Sequence, residues 1–263
     1  MAIDFAARVE KGPRETNDDR VLVSGHILDM SDAAGELSLP ALVAVCDGCG
    51  GYAGGGIAAQ TVLEFLSFED PQALADNAYL AQVLENCRRV VFEKKAETPQ
   101  YAAMCTTLAA CLFLDDGTVF FHAGDSRVYR YDTWGLAKMT KDHSAVQELV
   151  DMGQLTIEEA LSSPRRNIIT RCIGIDCPPP DIYVSKVPIQ SGEKYLLCSD
   201  GLWECVSDAE LEDVLKQDIS PREMVDILMD KALHAGAEDN ISICICAKEG
   251  TAARTETTPF VLN

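Results

Sequence analysis

The sequence predicts an α+β domain, with antiparallel strands grouped together and helices set between the groups. Two patterns carry this expectation. Between Cys105 and Met139, apolar residues recur at period two around Asp115-Asp116-Gly117, a hairpin signal. Between about Pro71 and Lys95, Leu80, Val83, Leu84, Cys87 and Val91 recur at three- and four-residue spacing, which makes one buried helical stripe. A third pattern concerns chemistry: three apolar, strand-like runs abut an Asp that is followed by Gly or Asn. They read VAVCDGCGG at Asp47, YLLCSDGLWE at Asp200 and GAEDNISICIC at Asp239. Carboxylates held at strand ends and brought together repel one another strongly unless divalent cations lie between them.

Taken in order, IDFAARV reads as a strand, KGPRETNDDR as a polar loop and RVLVSGHIL as a second strand. DMSDAAGELSLP reads as a loop leading to a third strand, LVAVCD. The Gly-rich stretch from Gly48 to Gly56 then opens a helix through IAAQTVLEFLSF, followed by the helical run to Lys95. TTLAACLFL, TVFFHAG and SRVYRYD read as consecutive antiparallel strands. A polar, helix-rich insertion spans roughly His143 to Pro180 and closes on Pro178-Pro179-Pro180. The strands IYVSKV and KYLLCS, helices over Asp208–Lys216 and Pro221–His234, and a last strand, ISICICA, complete the pattern. With no internal repeat or low-complexity linker, residues 1–250 read as one domain and 251–263 as a loose tail.

At 263 residues and 47% hydrophobic, the chain can bury a substantial core, and with 6% aromatics that core leans on Val, Leu, Ile and Ala. A net charge of −20 argues against nucleic acid and against anionic membrane surfaces. It does not exclude a phosphorylated substrate, because two divalent ions bring about four positive charges to where a phosphate sits. The eleven cysteines lie mostly in apolar runs, and MAIDFAARVEKG lacks a run of signal-peptide length. Reduced thiols in a cytoplasm are the expectation. The single C-x-x-C, Cys46 to Cys49, reads either as core or as a redox or zinc pair.

Eight short motifs follow one another along the chain. They are Gly12-Pro13-Arg14-Glu15-Thr16-Asn17-Asp18-Asp19, DGCGG from Asp47, Thr106-Thr107-Leu108, and GDSRVY from Gly124 to Tyr129. KDHS at Lys141–Ser144, PRRNIITRCIG at Pro164–Gly174, CSDGLWE at Cys198–Glu204 and EDNI at Glu238–Ile241 complete the series. In this order they resemble the metal-dependent type 2C protein serine/threonine phosphatases (PPM family), in their compact bacterial form.

The resemblance implies a four-layer α-β-β-α sandwich, two antiparallel sheets flanked by helices, with a helical flap at about 144–178. It implies hydrolysis of phosphoserine and phosphothreonine by direct attack of a water or hydroxide bridging two Mn2+ or Mg2+ ions. Asp47 is then the bridging carboxylate, the Gly48 carbonyl completes part of one shell, and Asp200 and Asp239 serve the other ion. Asp19 and Asp18 contact the ions or orient their waters, Arg14 clamps the phosphate with its planar fork, and Asp125 holds a third ion or merely caps a turn. Implied partners are a phosphorylated protein, and a Ser/Thr kinase with its targets; a cytoplasmic monomer is the default.

Three positions depart from the family pattern. Tyr52 stands where His is frequent, and an ordinary tyrosine is a poor acid at neutral pH. Cys105 replaces the usual Gly before TTL, at a place expected to lie away from the metal carboxylates. Cys49 replaces Met, and its thiol so near the ions suggests sensitivity to oxidation. No two of His26, His122, His143 and His234 have metal-ligand spacing in sequence, and His143 reads as structural. Trp203 reads as core; Arg165, Arg166 and Arg171 read either as anion contacts or as surface salt bridges. Two other classes compete: a phosphatase-fold sensor with weak or no turnover, and a two-metal phosphodiesterase or nuclease, which the acidic composition disfavours.

Overall fold

The computed structural model describes residues 2–49 and 54–248, and the backbone of 261–262. The elements are β1 (Ala2–Glu10), β2 (Asp19–Val23), β3 (His26–Leu28), β4 (Asp32–Ser38), β5 (Ala41–Cys49), α1 (Gly55–Ser67) and α2 (Asn77–Glu97). They continue as β6 (Cys105–Thr106), β7 (Leu108–Phe113), β8 (Thr118–Ala123), β9 (Arg127–Asp132), β10 (Gly135–Lys138), α3 (Ala145–Asp151) and α4 (Ile157–Leu161). Last come β11 (Asp181–Ser185), β12 (Lys194–Cys198), α5 (Asp200–Trp203), α6 (Asp208–Leu215), α7 (Pro221–His234), β13 (Ile241–Ala247) and β14 (Val261–Leu262).

The strands form two antiparallel sheets, ordered β10-β9-β12-β13-β1-β4-β14 and β11-β8-β7-β5-β2-β3, with β6 paired to β5 beside the second path. Alternation along each strand sorts its side chains into separate cores. In β5, Val43 and Val45 face the other sheet, whereas Leu42, Ala44 and Cys46 face α1 and α2. In β12, Tyr195 and Leu197 point between the sheets, and Leu196 and Cys198 point to α5, α6 and α7. Each central strand is thus covered on both faces, which is why LVAVC is apolar throughout and ISICICA is apolar except at Ser242. The result is the expected four layers, helices outside and two sheets within.

Local capping explains where the helices begin. Asp76 accepts from Tyr79 N, so α2 starts at Asn77 and not at Pro71. Ser207 and Ser220 form capping boxes with Glu210 and Glu223, and Pro221 occupies the first turn of α7. Two strand assignments differ from the sequence reading. DAAGELS forms β4 against β1 and not a loop; its small Ala33 and Ala34 are buried, but they carry no β-branched signal. RVLVSGHIL is a hairpin, turning at Ser24 and Gly25, whose φ values are 52° and 74°. Of the tail, Val261 and Leu262 pair with Ala34 and Ala33; residues 249–260 lie outside the described residues.

Leu197, wholly buried between the sheets, is expected to cost about 2–5 kcal/mol when changed to Ala. Trp134, 95% exposed, is expected to change stability by less than about 0.5 kcal/mol on the same substitution. Urea unfolding checks both; equal losses would contradict the layer assignment.

Candidate metal centre

The loop after β1, the ends of β2, β5 and β12, and the start of β13 meet at one rim of the two sheets. Asp19 and Asp47 face each other across the β2–β5 register. Asp200 opens α5 directly after β12, and Asp239 lies two residues before β13. Asp125 sits in the turn between β8 and β9, buried. The five carboxylates lie within each other's fields. Burial pushes Asp47 well above the usual carboxylate range, and the charges of Asp200, Asp19, Asp125 and Asp239 add to it. Burial does the same to Asp200, with Asp125, Asp239 and Asp19 contributing. Asp19 and Asp125 are each pushed up to about 7, by burial first.

Neighbouring residues fix these carboxylates in place. Ser199 Oγ donates to Asp19 Oδ2 at 2.7 Å and itself accepts from Ser242 N at 2.9 Å. Asp47 N donates to Thr107 Oγ1, and Thr106 Oγ1 donates to the Asp47 carbonyl, each at 2.9 Å. Asn240 accepts from Asp18 N and donates to the carbonyls of Lys11 and Thr16, so it ties the Arg14 loop to β13. The roles of Asn240, Thr106, Thr107 and Ser199 were not read from sequence, although each lies within a motif noted there. Gly48 and Gly55 approach so closely that a Cβ on either would lie 2.1–2.2 Å from the other's backbone. Only glycine permits that crossing, which sets the position of the Gly48 carbonyl.

The other predicted residues fall out as follows. Asp18 Oδ1 accepts from Gly56 N at 3.0 Å, so one of its oxygens caps α1. Arg14 lies at the rim, donating to the Glu238 carbonyl at 2.8 Å and to Asp239 Oδ2 at 2.6 Å. Tyr52 lies outside the described residues. Cys46 and Cys49 project to opposite faces of β5, as a three-residue separation in a strand requires. Cys46 enters the core under α1, whereas Cys49 Sγ meets Cys105 Sγ at 3.0 Å. Cys105 faces Cys49 because β6 folds back along the end of β5, opposite the residue after Gly48.

The flap root is a polar lattice. Arg127 donates to both oxygens of Asp142, at 3.1 and 2.6 Å, and its guanidinium lies 3.6 Å from the Trp203 ring centre. Trp203 Nε1 donates to the Asp125 carbonyl, so this residue braces the centre and is not simply core. His122 and His143, unrelated by sequence spacing, stack at 4.5 Å beside Asp181. His143 Nδ1 accepts from Gly124 N, so its Nε2 carries the hydrogen given to Asp181. That tautomer makes it a structural residue, as expected, and an unsuitable ligand. Arg166 pairs with Glu204 and Arg171 with Asp181, while Arg165 is exposed. His26 and His234 bond local carbonyls at the surface.

Two observations indicate that the cleft suits hard cations. Asp125 Oδ1 and Asp200 Oδ1 are buried without a hydrogen-bond partner, a costly state for carboxylate oxygens. The converging donors are all oxygen, the set that favours Mg2+ and Mn2+.

Comparison with known proteins gives a consistent picture. The family profile described as Protein phosphatase 2C matches residues 29–236. The chain is 33% identical over 220 residues to "Serine/threonine phosphatase stp" of Listeria monocytogenes, covering 80% of this chain and 85% of that one. It is 32% identical over 248 residues to "Serine/threonine protein phosphatase PstP" of Mycobacterium tuberculosis, covering 93% of this chain and 45% of that one. The crystal structure of the M. tuberculosis phosphatase PstP/Ppp superposes with a TM-score of 0.83 at 32% identity, over 95% of this chain and 100% of that one. A structure of the PstP catalytic domain in complex with two manganese ions superposes with a TM-score of 0.79 at 30% identity, over 95% and 100%.

With chelator present, folded Asp19 and Asp125 hold protons that the unfolded chain releases near pH 4, so stability falls as pH rises from about 4 to 7. Asp47→Asn relieves the repulsion and is expected to raise the metal-free melting temperature, by about 2–4 °C for each kcal/mol regained. The same variant is expected to lose stabilisation by manganese. Thermal melts with and without Mn2+ check this; a metal-free variant less stable than the parent would contradict it.

Proposed function

Because this chain belongs to the protein phosphatase 2C family, we propose that the carboxylate-lined cleft is its catalytic centre. The chain is a metal-dependent protein serine/threonine phosphatase. The observation that carries the site assignment is the convergence of Asp19, Asp47, Asp125, Asp200 and Asp239, with two buried carboxylate oxygens left without partners. Asp47, Asp200, Asp239 and the Gly48 carbonyl would hold two Mn2+ or Mg2+ ions, with Asp19 and Asp18 close by and Asp125 suited to a third. When bound, the ions supply Lewis acidity toward the phosphoryl oxygens and a water acidic enough to attack phosphorus near neutral pH.

The chain's own groups supply position and charge. Ser199 keeps one Asp19 oxygen engaged, which orients the carboxylate. Thr106 and Thr107 hold the Asp47 backbone, so its carboxylate moves only about its side-chain torsions. Arg14, already paired with Asp239, exchanges that carboxylate for two phosphoryl oxygens, a geometry that its planar fork matches. Its partial exposure lets it swing without breaking core contacts. The flap, rooted through Arg171–Asp181 and Arg166–Glu204, borders this opening and shapes the approach of a protein substrate.

The substrates are phosphorylated proteins, in our reading those of a partner Ser/Thr kinase, and the chain acts as a cytoplasmic monomer. Eleven free thiols support a reducing compartment. Among the described residues, no helix is long and apolar enough to cross a membrane.

Hydrolysis of p-nitrophenyl phosphate and of a phosphothreonine peptide is expected with Mn2+ and to vanish with chelator. Asp47→Asn and Asp239→Asn are expected to lower turnover by roughly three or more orders of magnitude. Arg14→Ala is expected to lower kcat/KM roughly 10–100-fold, and Tyr52→His to leave turnover equal or higher. Parental rates in either Asp variant would refute the assigned centre. No hydrolysis by a folded, manganese-bound chain would favour a binding module.

A further inference from the structure

Beside the oxygen donors at the end of β5 lies a second donor set, made of sulfur. The Sγ atoms of Cys49, Cys105 and Cys172 all lie within 4.8 Å of one another. Three separate segments deliver them. Cys49 and Cys105 oppose each other across the β5–β6 register. Cys172 is brought in by the bridge between Thr106 and Ile173, with reciprocal backbone hydrogen bonds of 3.0 and 2.8 Å. Cys46, Cys87, Cys111, Cys198, Cys244 and Cys246 all belong to the apolar cores, as reduced cysteines normally do. Cys49, Cys105 and Cys172 belong to none of them, although Cys105 and Cys172 are buried.

We propose that Cys49, Cys105 and Cys172 form a thiolate site for a soft divalent cation of the zinc class, distinct from the oxygen-lined centre. A tetrahedral zinc with bonds of about 2.3 Å places its sulfurs about 3.8 Å apart, so small side-chain rotations suffice. Sulfur donors select zinc over magnesium and manganese, which keeps the two sites chemically separate although they share one strand. Charge also balances. The Lys95 ammonium, which donates to the Gly174 carbonyl, lies close enough to act on Cys105. Three thiolates, one divalent cation and that ammonium leave no net charge. The fourth coordination position falls to water. A bound ion would brace the flap's exit, at Cys172, against the strand that carries Asp47.

The test uses the full chain, anaerobic and reduced with a phosphine, titrated with Co2+ as a spectroscopic stand-in. Cobalt on thiolates gives intense sulfur-to-metal charge-transfer absorption, whereas cobalt on oxygen ligands gives only weak bands. The expected result is one equivalent of charge-transfer absorption, bleached by stoichiometric Zn2+. Cys105→Ser and Cys172→Ser are each expected to abolish it, with zinc affinity falling by more than the roughly 10–100-fold that losing an outer partner costs. Near-UV circular dichroism and the thermal shift with Mn2+ report whether each variant remains folded. A folded parent chain without the absorption would overturn the proposal. So would absorption retained in both variants. None of these outcomes depends on phosphatase turnover.

Discussion

Repulsion among carboxylates gathered in a partly dry cleft is the constraint around which this molecule is organised. Two like charges a few ångströms apart, partly removed from water, cost several kcal/mol, and here five lie within one another's fields. The metal-free chain relieves the cost in the ways open to it. Burial and mutual repulsion raise the proton affinity of Asp47, Asp200, Asp19 and Asp125, and Arg14 pairs with Asp239. Divalent cations relieve the cost more completely, and the site therefore makes physical sense as a place for them.

The rest of the fold serves to hold that arrangement against its own repulsion. Both sheets contribute: Asp19 and Asp47 come from one, while Asp200 and Asp239 flank strands of the other. The apolar core between the sheets thus sets the distance across the cleft. Short polar braces then fix the segments that carry them, through Ser199 to the Asp19 carboxylate, Thr106 and Thr107 to the Asp47 backbone, and Asn240 to the loop bearing Arg14. The Arg127–Asp142 pair, almost wholly buried and stacked on Trp203, joins the Asp125 turn to the root of the flap. Burial opposes the ionisation of Asp142, but Arg127 prevails and holds its carboxyl below the usual range.

What the sequence made legible follows from the range of each interaction. Asp47, Asp200 and Asp239 stood out because each abuts an apolar run, a pattern confined to a few residues. The layers were legible for the same reason, since period-two and three-to-four-residue spacing record burial directly. β4 was not, because Ala33 and Ala34 are buried without a β-branched signature. Contacts across strands were also hidden. Nothing in spacing places Cys105 against Cys49, or His122 on His143, because those meetings are set by register and by the fold-back of β6. The bracing role of Asn240 was hidden too, because its side chain meets the Lys11 and Thr16 carbonyls from the far end of the chain.

Anomalous diffraction from crystals soaked in manganese, recorded on either side of the manganese absorption edge, tests the central claim most directly. Two strong peaks are expected between the carboxylates, with Asp47 touching both and Asp200 and Asp239 sharing one. Carboxylates that remain protonated or paired with Arg14, with no anomalous density among them at saturating manganese, would contradict the account.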